Sequence, residues 1–380
     1  MTELAAIPGE VTEIKDYVFC GCNTLTSVVI PNSVKTIGKS AFSNCFSLKS
    51  VVIPNSVTTV GNSAFSGCAG LERVELDCPS VGSWFSGNTS IKEVVIGENV
   101  TSFVSGAFNG CTGLDVVSIG DLAAWCGACF GSADANPLYY AKYLYSNLGG
   151  LVTELVIPDG VTEMKDYAFY NYGKLTSVKI PSCVTTVGSS VFYGCSGLAN
   201  VEMGNNVTSI GSGTFGGCTG LNEVHISDLA AWCGISFGNN EANPLYYANN
   251  LYLNEELVTE LTIPDGVAQI KNYAFYNCNT LASVAIPNSV TNISGSAFNG
   301  CTALERVGFD CPSVGSWFSG VTSIKEVVIG DNVTNIVSGA FSACYNLNAV
   351  YINDIAAWCG ISFGNYESNP YILCKEPVFE

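Results

Sequence analysis

Eighteen cysteines, one histidine and 32 acidic residues are the groups in this 380-residue chain with chemistry to offer. Nine of the cysteines share one recurring place, three residues after a phenylalanine or its equivalent: Cys22, Cys45, Cys68, Cys111, Cys195, Cys218, Cys278, Cys301 and Cys344. Tyr172 takes that place once. A buried free thiol serves there as a small apolar side chain. The alternative is a disulfide between successive repeats, which strand spacing permits; an odd-membered run such as Cys22, Cys45 and Cys68 would leave one thiol over. Cys126-Gly-Ala-Cys129 has the spacing of a redox pair or half a zinc site. Its sister segments read Cys233-Gly-Ile-Ser236 and Cys359-Gly-Ile-Ser362, and zinc would need two more ligands. No metal and no cofactor is expected.

His225 aligns with Ser118 and Tyr351 in sister segments, at an outward strand position, and reads as a surface histidine. Gly211-Ser-Gly213-Thr-Phe-Gly216 matches a dinucleotide-binding glycine pattern but lacks the strand-to-helix setting that pattern needs. Asp121, Asp228 and Asp354 each precede Leu/Ile-Ala-Ala-Trp-Cys, the place of a helix cap. No calcium loop of alternating aspartates is present. General acid/base work near neutral pH draws on histidine or on carboxylates with shifted pKa values. A nucleophilic cysteine needs a base and an electropositive setting. Neither is in sight, so no catalytic set is expected.

The charge balance sets further bounds. With 14 basic and 32 acidic residues the formal net charge is −18. A nucleic-acid-binding protein carries a basic stripe to meet phosphates, and this chain cannot form one. An anionic membrane surface would repel it. Mean hydropathy is +0.32, yet no apolar run of 18 residues exists to insert into a bilayer. No signal peptide opens the sequence.

The positions of all these groups are set by an internal repeat. A segment of the form Leu-x-x-Val-x-Ile, often followed by Pro, recurs fifteen times. Its closing apolar residue runs from Ile7 through Ile30, Ile53, Leu76 and Ile96 to Ile352. Most steps are 23 residues, two are 20 and two are longer, at 38 and 37. The Val-x-Ile alternation is a strand with one buried face. Proline ends it, having no N–H to give a ladder. Asn-Ser-Val-Thr-x-Ile/Val-Gly follows as a turn and a second short strand, and Ser-Ala-Phe-x-x-Cys completes the unit, as at 53–68. One such unit is too small to fold alone, and stacked units bury continuous ladders. The recurring phenylalanines, Phe19, Phe42, Phe65, Phe108, Phe169, Phe192, Phe215, Phe275, Phe298 and Phe341, should point inward and stack.

The expected fold is therefore a β-rich, right-handed parallel solenoid of about fifteen coils, one continuous domain over 1–380. Long coils near 120–157, 227–263 and 353–380 are expected to carry a short helix, an Asn-Pro pair and, in two copies, a hairpin. The turn of the first hairpin, Asn147-Leu-Gly-Gly, is one residue longer than Asn254-Glu-Glu in the second. Cys-Pro-Ser-Val-Gly-Ser-Trp-Phe-Ser-Gly at 78–87 and 311–320 makes the two 20-residue coils. The pattern begins at a strand and stops inside a long coil, so the chain is expected to be truncated at both ends.

The run Ile-Pro-Asn-Ser-Val-Thr-x-(Ile/Val)-Gly-x-Ser-Ala-Phe-x-x-Cys-x-x-Leu, as at 53–71, resembles the BspA-type leucine-rich repeats. The resemblance covers nearly the whole chain. It implies a parallel solenoid without catalytic residues, from a family found in surface proteins of gut and oral anaerobic bacteria and of trichomonads. In some members it implies adhesion to host matrix proteins or other cells. Export is implied too, so the expected location is extracellular or the cell surface, the signal peptide lying outside this fragment.

In Leu-x-x-Val-x-Ile the third and fifth residues should project outward, because side chains alternate along a strand. The candidate binding surface on that face comprises Arg73, Glu75, Glu93, Lys179, Glu202, Glu223, His225, Arg306, Glu326 and Tyr351. A shallow face of this kind suits a protein or glycan on a host or neighbouring cell. Tyr139, Tyr140, Tyr246 and Tyr247 in the long coils are a second candidate, since tyrosine anchors many interfaces; the alternative is that they pack the inserted segment down. The expected function is non-catalytic recognition or adhesion. The other reading is a structural spacer or stalk presenting another domain. An exposed aromatic patch favours recognition, and a uniformly small, polar face favours the spacer.

Overall fold

The alternation of apolar and polar residues in Leu-x-x-Val-x-Ile does form strands in the computed structural model, which describes residues 3–147, 150–318, 321–342, 344–374 and 378–379. The fold is a parallel β-solenoid of about fifteen turns with a few short helices. Contacts group the chain into two compact units. One is Met1–Val178 with Val187–Leu198 and Gly216–Cys218; the other is Lys179–Thr186 with Ala199–Phe215 and Thr219–Glu380.

In the first unit the strands Glu3–Ala6, Leu25–Val29, Ser50–Ile53, Arg73–Leu76, Glu93–Ile96, Val116–Ile119 and Tyr143–Ser146 follow one another in a parallel sheet. Gly150–Leu151 closes it as an antiparallel hairpin on the last of these. The register matches equivalent residues, so Val51, Val74, Val94, Val117 and Leu144 form one buried row. In the second unit Glu260–Thr262, Ser283–Ile286, Arg306–Phe309, Glu326–Ile329, Ala349–Ile352 and Val378–Phe379 form a six-stranded sheet on the same plan. The second arm of each coil adds a two-residue strand, such as Glu13–Ile14, Thr36–Ile37 and Thr59–Val60, paired in parallel.

In most coils the phenylalanine at the closing turn points inward and stacks on its neighbour; Phe341 instead meets Phe309 edge-on at 6.1 Å. In the first unit Phe19, Phe42, Phe65 and Phe85 lie with ring centroids 5.1, 5.3 and 5.4 Å apart, and Phe108 follows at 6.4 Å. In the second, Phe275, Phe298 and Phe318 are spaced at 5.1 and 4.9 Å. Phe85 and Phe318 belong to the two 20-residue coils, whose different wording hid them from the repeat pattern. There the chain loses three residues between strand and turn, yet keeps the rung. The indole of the adjacent tryptophan folds over the shortened arm. A Cβ on Gly82 would lie 2.3 Å from Nε1 of Trp84, and one on Gly315 equally close to Nε1 of Trp317, so only glycine fits. Ser319 and Gly320 of the second block lie outside the described residues.

The long coils carry the expected capped helices. Asp121, Asp228 and Asp354 accept from the N–H groups of Ala124, Ala231 and Ala356 at 2.8, 3.0 and 2.7 Å. The helices run Leu122–Gly127, Leu229–Cys233 and Ile355–Cys359. Both expected hairpins are present, Tyr143–Ser146 with Gly150–Leu151 and Asn250–Leu253 with Glu256–Leu257. Asn254 and Glu255 turn the second with φ of 50° and 68°, the left-handed geometry of a tight hairpin. Leu148 and Gly149 of the first turn, and residues 375–377 and 380 of the third long coil, lie outside the described residues.

Candidate functional site

The outward row of each strand holds the ten candidate residues, and the register brings most of them together in pairs. Arg73 lies 2.5 Å from Glu93 on the next coil and 3.4 Å from Glu75 on its own strand. Lys179 pairs with Glu202 at 2.6 Å and Arg306 with Glu326 at 2.8 Å. The Arg306 guanidinium also lies 5.1 Å over the ring of Tyr351. His225 stands between Glu223 and Glu255, each at 3.2 Å, and stacks on Tyr252 at 4.8 Å. A flanking row repeats the device: Lys49 with Glu72, Lys142 with Asp115 and Lys325 with Glu305. Such exposed pairs add little to stability, because water and salt screen them. Their effect is to leave a face of locally balanced charge on a chain that is acidic overall. Apolar side chains sit among them, with Val29 56% and Val52 42% exposed.

The ladder thiols face the interior. The S–H groups of Cys45, Cys68, Cys111, Cys195, Cys218 and Cys301 each donate to the carbonyl of the preceding coil's phenylalanine, at 3.1–3.2 Å. The 18 cysteines are thiols, none joined in a disulfide. Burial pushes the thiols of Cys78, Cys126, Cys218, Cys233 and Cys311 up to about 12, and those of Cys111, Cys278 and Cys344 up to about 11. Of the Cys-x-x-Cys pair, Cys126 is buried and Cys129 exposed. Tyr172 replaces the ladder cysteine after the first long coil. Its hydroxyl donates to the Val152 carbonyl at 2.7 Å and accepts from the Leu144 N–H at 3.3 Å, tying the hairpin to the next coil. No group of three or more ligating side chains suited to a metal occurs among the described residues. Gly211–Gly216 is a turn with no helix after it.

A tyrosine ladder in the first unit went unread in the sequence. Tyr139 stacks on Tyr170 at 5.8 Å, and Tyr170 on Tyr193 at 5.2 Å, with interplanar angles of 7° and 9°. Tyr140 and Tyr167 meet the ladder edge-on at 4.8 and 5.8 Å. Tyr140 is tied down, its hydroxyl accepting from the Gly110 N–H at 2.9 Å. Tyr139 and Tyr193 remain 38% and 39% exposed. In the second unit Tyr246 stacks on Tyr276 at 5.8 Å, with Tyr247 and Tyr273 edge-on. The signal was present as Phe169-Tyr170, Phe192-Tyr193 and Phe275-Tyr276: a residue directly after a stacked phenylalanine must itself fall on a rung.

The profile of the BspA type leucine rich repeat region matches in six copies, over residues 2–119, 141–241 and 247–366. The chain belongs to this family. No curated protein matches it. Among solved structures, a BspA-type chain like this is similar to a leucine rich cell surface protein from Faecalibacterium prausnitzii. That pair shares 24% identity over 98% of this chain and 90% of the other, with a TM-score of 0.30. A leucine-rich repeat protein from Bacteroides ovatus shares 22% identity over 95% and 91%, with a TM-score of 0.36. The pneumococcal vaccine antigen PcpA shares 16% over 100% and 89%, with a TM-score of 0.33. Across the BspA-type repeats of this chain, the recurring apolar and most ladder-thiol positions are buried, while the outward rows vary from coil to coil. No helix among the described residues is long and apolar enough to cross a membrane.

Proposed function

We propose that the chain is a non-catalytic recognition module acting outside the cell or at its surface, with a protein or glycan of a host or neighbouring cell as partner. The observation that carries this reading is the exposed tyrosine ladder Tyr139–Tyr170–Tyr193. A spacer needs only a small, polar exterior, whereas stacked rings with free edges and hydroxyls offer rigid amphipathic anchors. The outward strand rows supply a second, weakly polar contact area, and many weak contacts along one chain add through avidity. Family membership supports the surface location. A binding screen of the purified protein against extracellular matrix proteins and a glycan array tests the reading. Saturable binding to at least one of them is expected. Binding to none, or turnover of a substrate abolished by Cys129→Ser or His225→Ala, would remove it.

A further inference from the structure

The first two long coils meet the coil that follows them on one plan. The sheets break there: Gly150–Leu151 ends one and Glu154–Val156 begins the next, as do Glu256–Leu257 and Glu260–Thr262. Other groups make the join. The Trp125 indole N–H and the Asn136 side-chain amide both donate to the Ala168 carbonyl, and the Lys165 N–H donates to the Cys126 carbonyl. Trp232, Asn243 and Ala274, with Lys271 and Cys233, repeat the arrangement.

The third long coil carries the same donors with nothing to grip. Asn369 is held as its sisters are, its Oδ1 accepting from the Tyr371 N–H at 3.0 Å. Neither its amide N–H groups nor the Trp358 indole N–H has an acceptor among the described residues. Ile355 is exposed where Leu122 and Leu229 are buried.

A matching acceptor lies in the coil at 3–29. Lys15-Asp-Tyr-Val-Phe19 corresponds to Lys165-Asp-Tyr-Ala-Phe169 and Lys271-Asn-Tyr-Ala-Phe275. Tyr17, Tyr167 and Tyr273 share a left-handed backbone, with φ of 62°, 66° and 67°, so the chain turns alike before each accepting carbonyl. The Val18 carbonyl and the Lys15 N–H have no partner among the described residues, and Val18 is exposed where Ala168 and Ala274 are buried. Beside them lies an apolar depression of about 300 Å³, lined by Ile7, Pro8, Val11, Ile14, Val18 and Phe19. In the first internal junction the helix Leu122–Gly127 packs on Glu163–Met164, whose counterpart here, Glu13–Ile14, forms part of that lining.

We propose that the third long coil of one copy docks on the coil at 3–29 of a second copy of this chain. Trp358 enters the depression, its indole N–H and the Asn369 amide donate to the Val18 carbonyl, and the Lys15 N–H donates to the Cys359 carbonyl. The contact is heterologous, so it repeats from copy to copy and does not close a two-fold dimer. Valine in place of alanine is accommodated, since Val191 is fully buried at the same rung. Cys20 and Ile372 stand where the pairs Tyr139–Tyr170 and Tyr246–Tyr276 bridge the internal junctions. With those rings missing and no peptide link across the contact, the association is reversible and concentration-dependent. It does not rest on the recognition reading.

The test is sedimentation velocity from low to high micromolar concentration, with a reductant present so that exposed thiols do not link copies. The parent is expected to form larger species as concentration rises. Trp358→Ala removes the inserted ring, and Val18→Glu places a carboxylate in the depression; thermal melting checks that both remain folded. Each alone should weaken association by about tenfold or more, and Asn369→Ala should act in the same direction. Mixed, Trp358→Ala and Val18→Glu should form a one-to-one dimer and nothing larger, because one keeps the depression and the other keeps the ring. A parent that stays monomeric throughout would overturn the proposal. So would single variants that associate like the parent, or a mixture that stays monomeric where the parent associates.

Discussion

The indole N–H of Trp125 donates to the carbonyl of Ala168, 43 residues further on, at 2.8 Å. The Asn136 side chain joins it, donating to Tyr167 and Ala168 carbonyls at 2.7 and 3.0 Å while accepting from the Leu138 N–H. Trp232 and Asn243 do the same for Ala274 and Tyr273 in the second unit. The first two long coils are thus each clasped to the coil that follows by buried, hydrogen-bonded polar groups.

Breaking the clasp leaves a buried carbonyl short of a donor, which costs about 1–3 kcal/mol. Trp125→Phe and Asn136→Ala should each lower stability by that amount in urea unfolding. Either single substitution leaves the Ala168 carbonyl one donor, so the double substitution should cost more than the sum of the two. A Trp125→Phe variant as stable as the parent would contradict the clasp.

The buried thiols make an alkaline limit. Eight of them have pKa values raised by burial from 9.0 to about 11 or 12. The unfolded chain therefore releases these protons first as pH rises. Their contribution is fully present below pH 9, falls through the window from 9 to 12, and is lost above it. Each such thiol costs about 1.4 kcal/mol per pH unit within the window. The midpoint of thermal unfolding should drop steeply above pH 9 and be nearly flat from 7 to 8.5. The exposed Cys20, Cys129 and Cys359 should react with a thiol reagent at pH 8 well before the ladder thiols. Uniform labelling of all cysteines in the folded protein would contradict their burial.

Phe65 stacks between Phe42 and Phe85 and is fully buried. Phe65→Ala should cost about 3–5 kcal/mol through the cavity it leaves. We propose from the unbroken repeat that the chain is one solenoid, in which coils couple to their neighbours. Hydrogen exchange in Phe65→Ala should then quicken most in the coils adjoining residue 65. Unchanged melting and unchanged exchange there would count against the stacked core.

Much of this was legible because the repeat writes each coil in the same words. Ile53, Phe65 and Cys68 recur at fixed spacing, so strand, turn and thiol rows could be placed before any coordinates. The Asp121 and Asp228 caps were legible for the same reason. Phe85 was not, since its coil is three residues shorter and presents Trp84 beside it. The clasp was hidden because it joins residues 43 apart through a main-chain carbonyl, which no side-chain pattern reports. The candidate residues lie in the outward rows, partly buried or exposed, and their pairing across coils depends on register. Arg73 with Glu93 and Arg306 with Tyr351 only become neighbours once the coils stack.

The central claim is that this chain recognises a partner through its surface, and the tyrosine ladder is where that claim is most exposed. The decisive measurement is the affinity of the best partner from the binding screen for the parent chain and for a variant carrying Tyr139→Ser, Tyr170→Ser and Tyr193→Ser. Circular dichroism confirms that both are folded. The triple substitution is expected to weaken binding by about tenfold or more, the loss typical of removing clustered interface anchors. Binding unchanged by the loss of all three rings would contradict it.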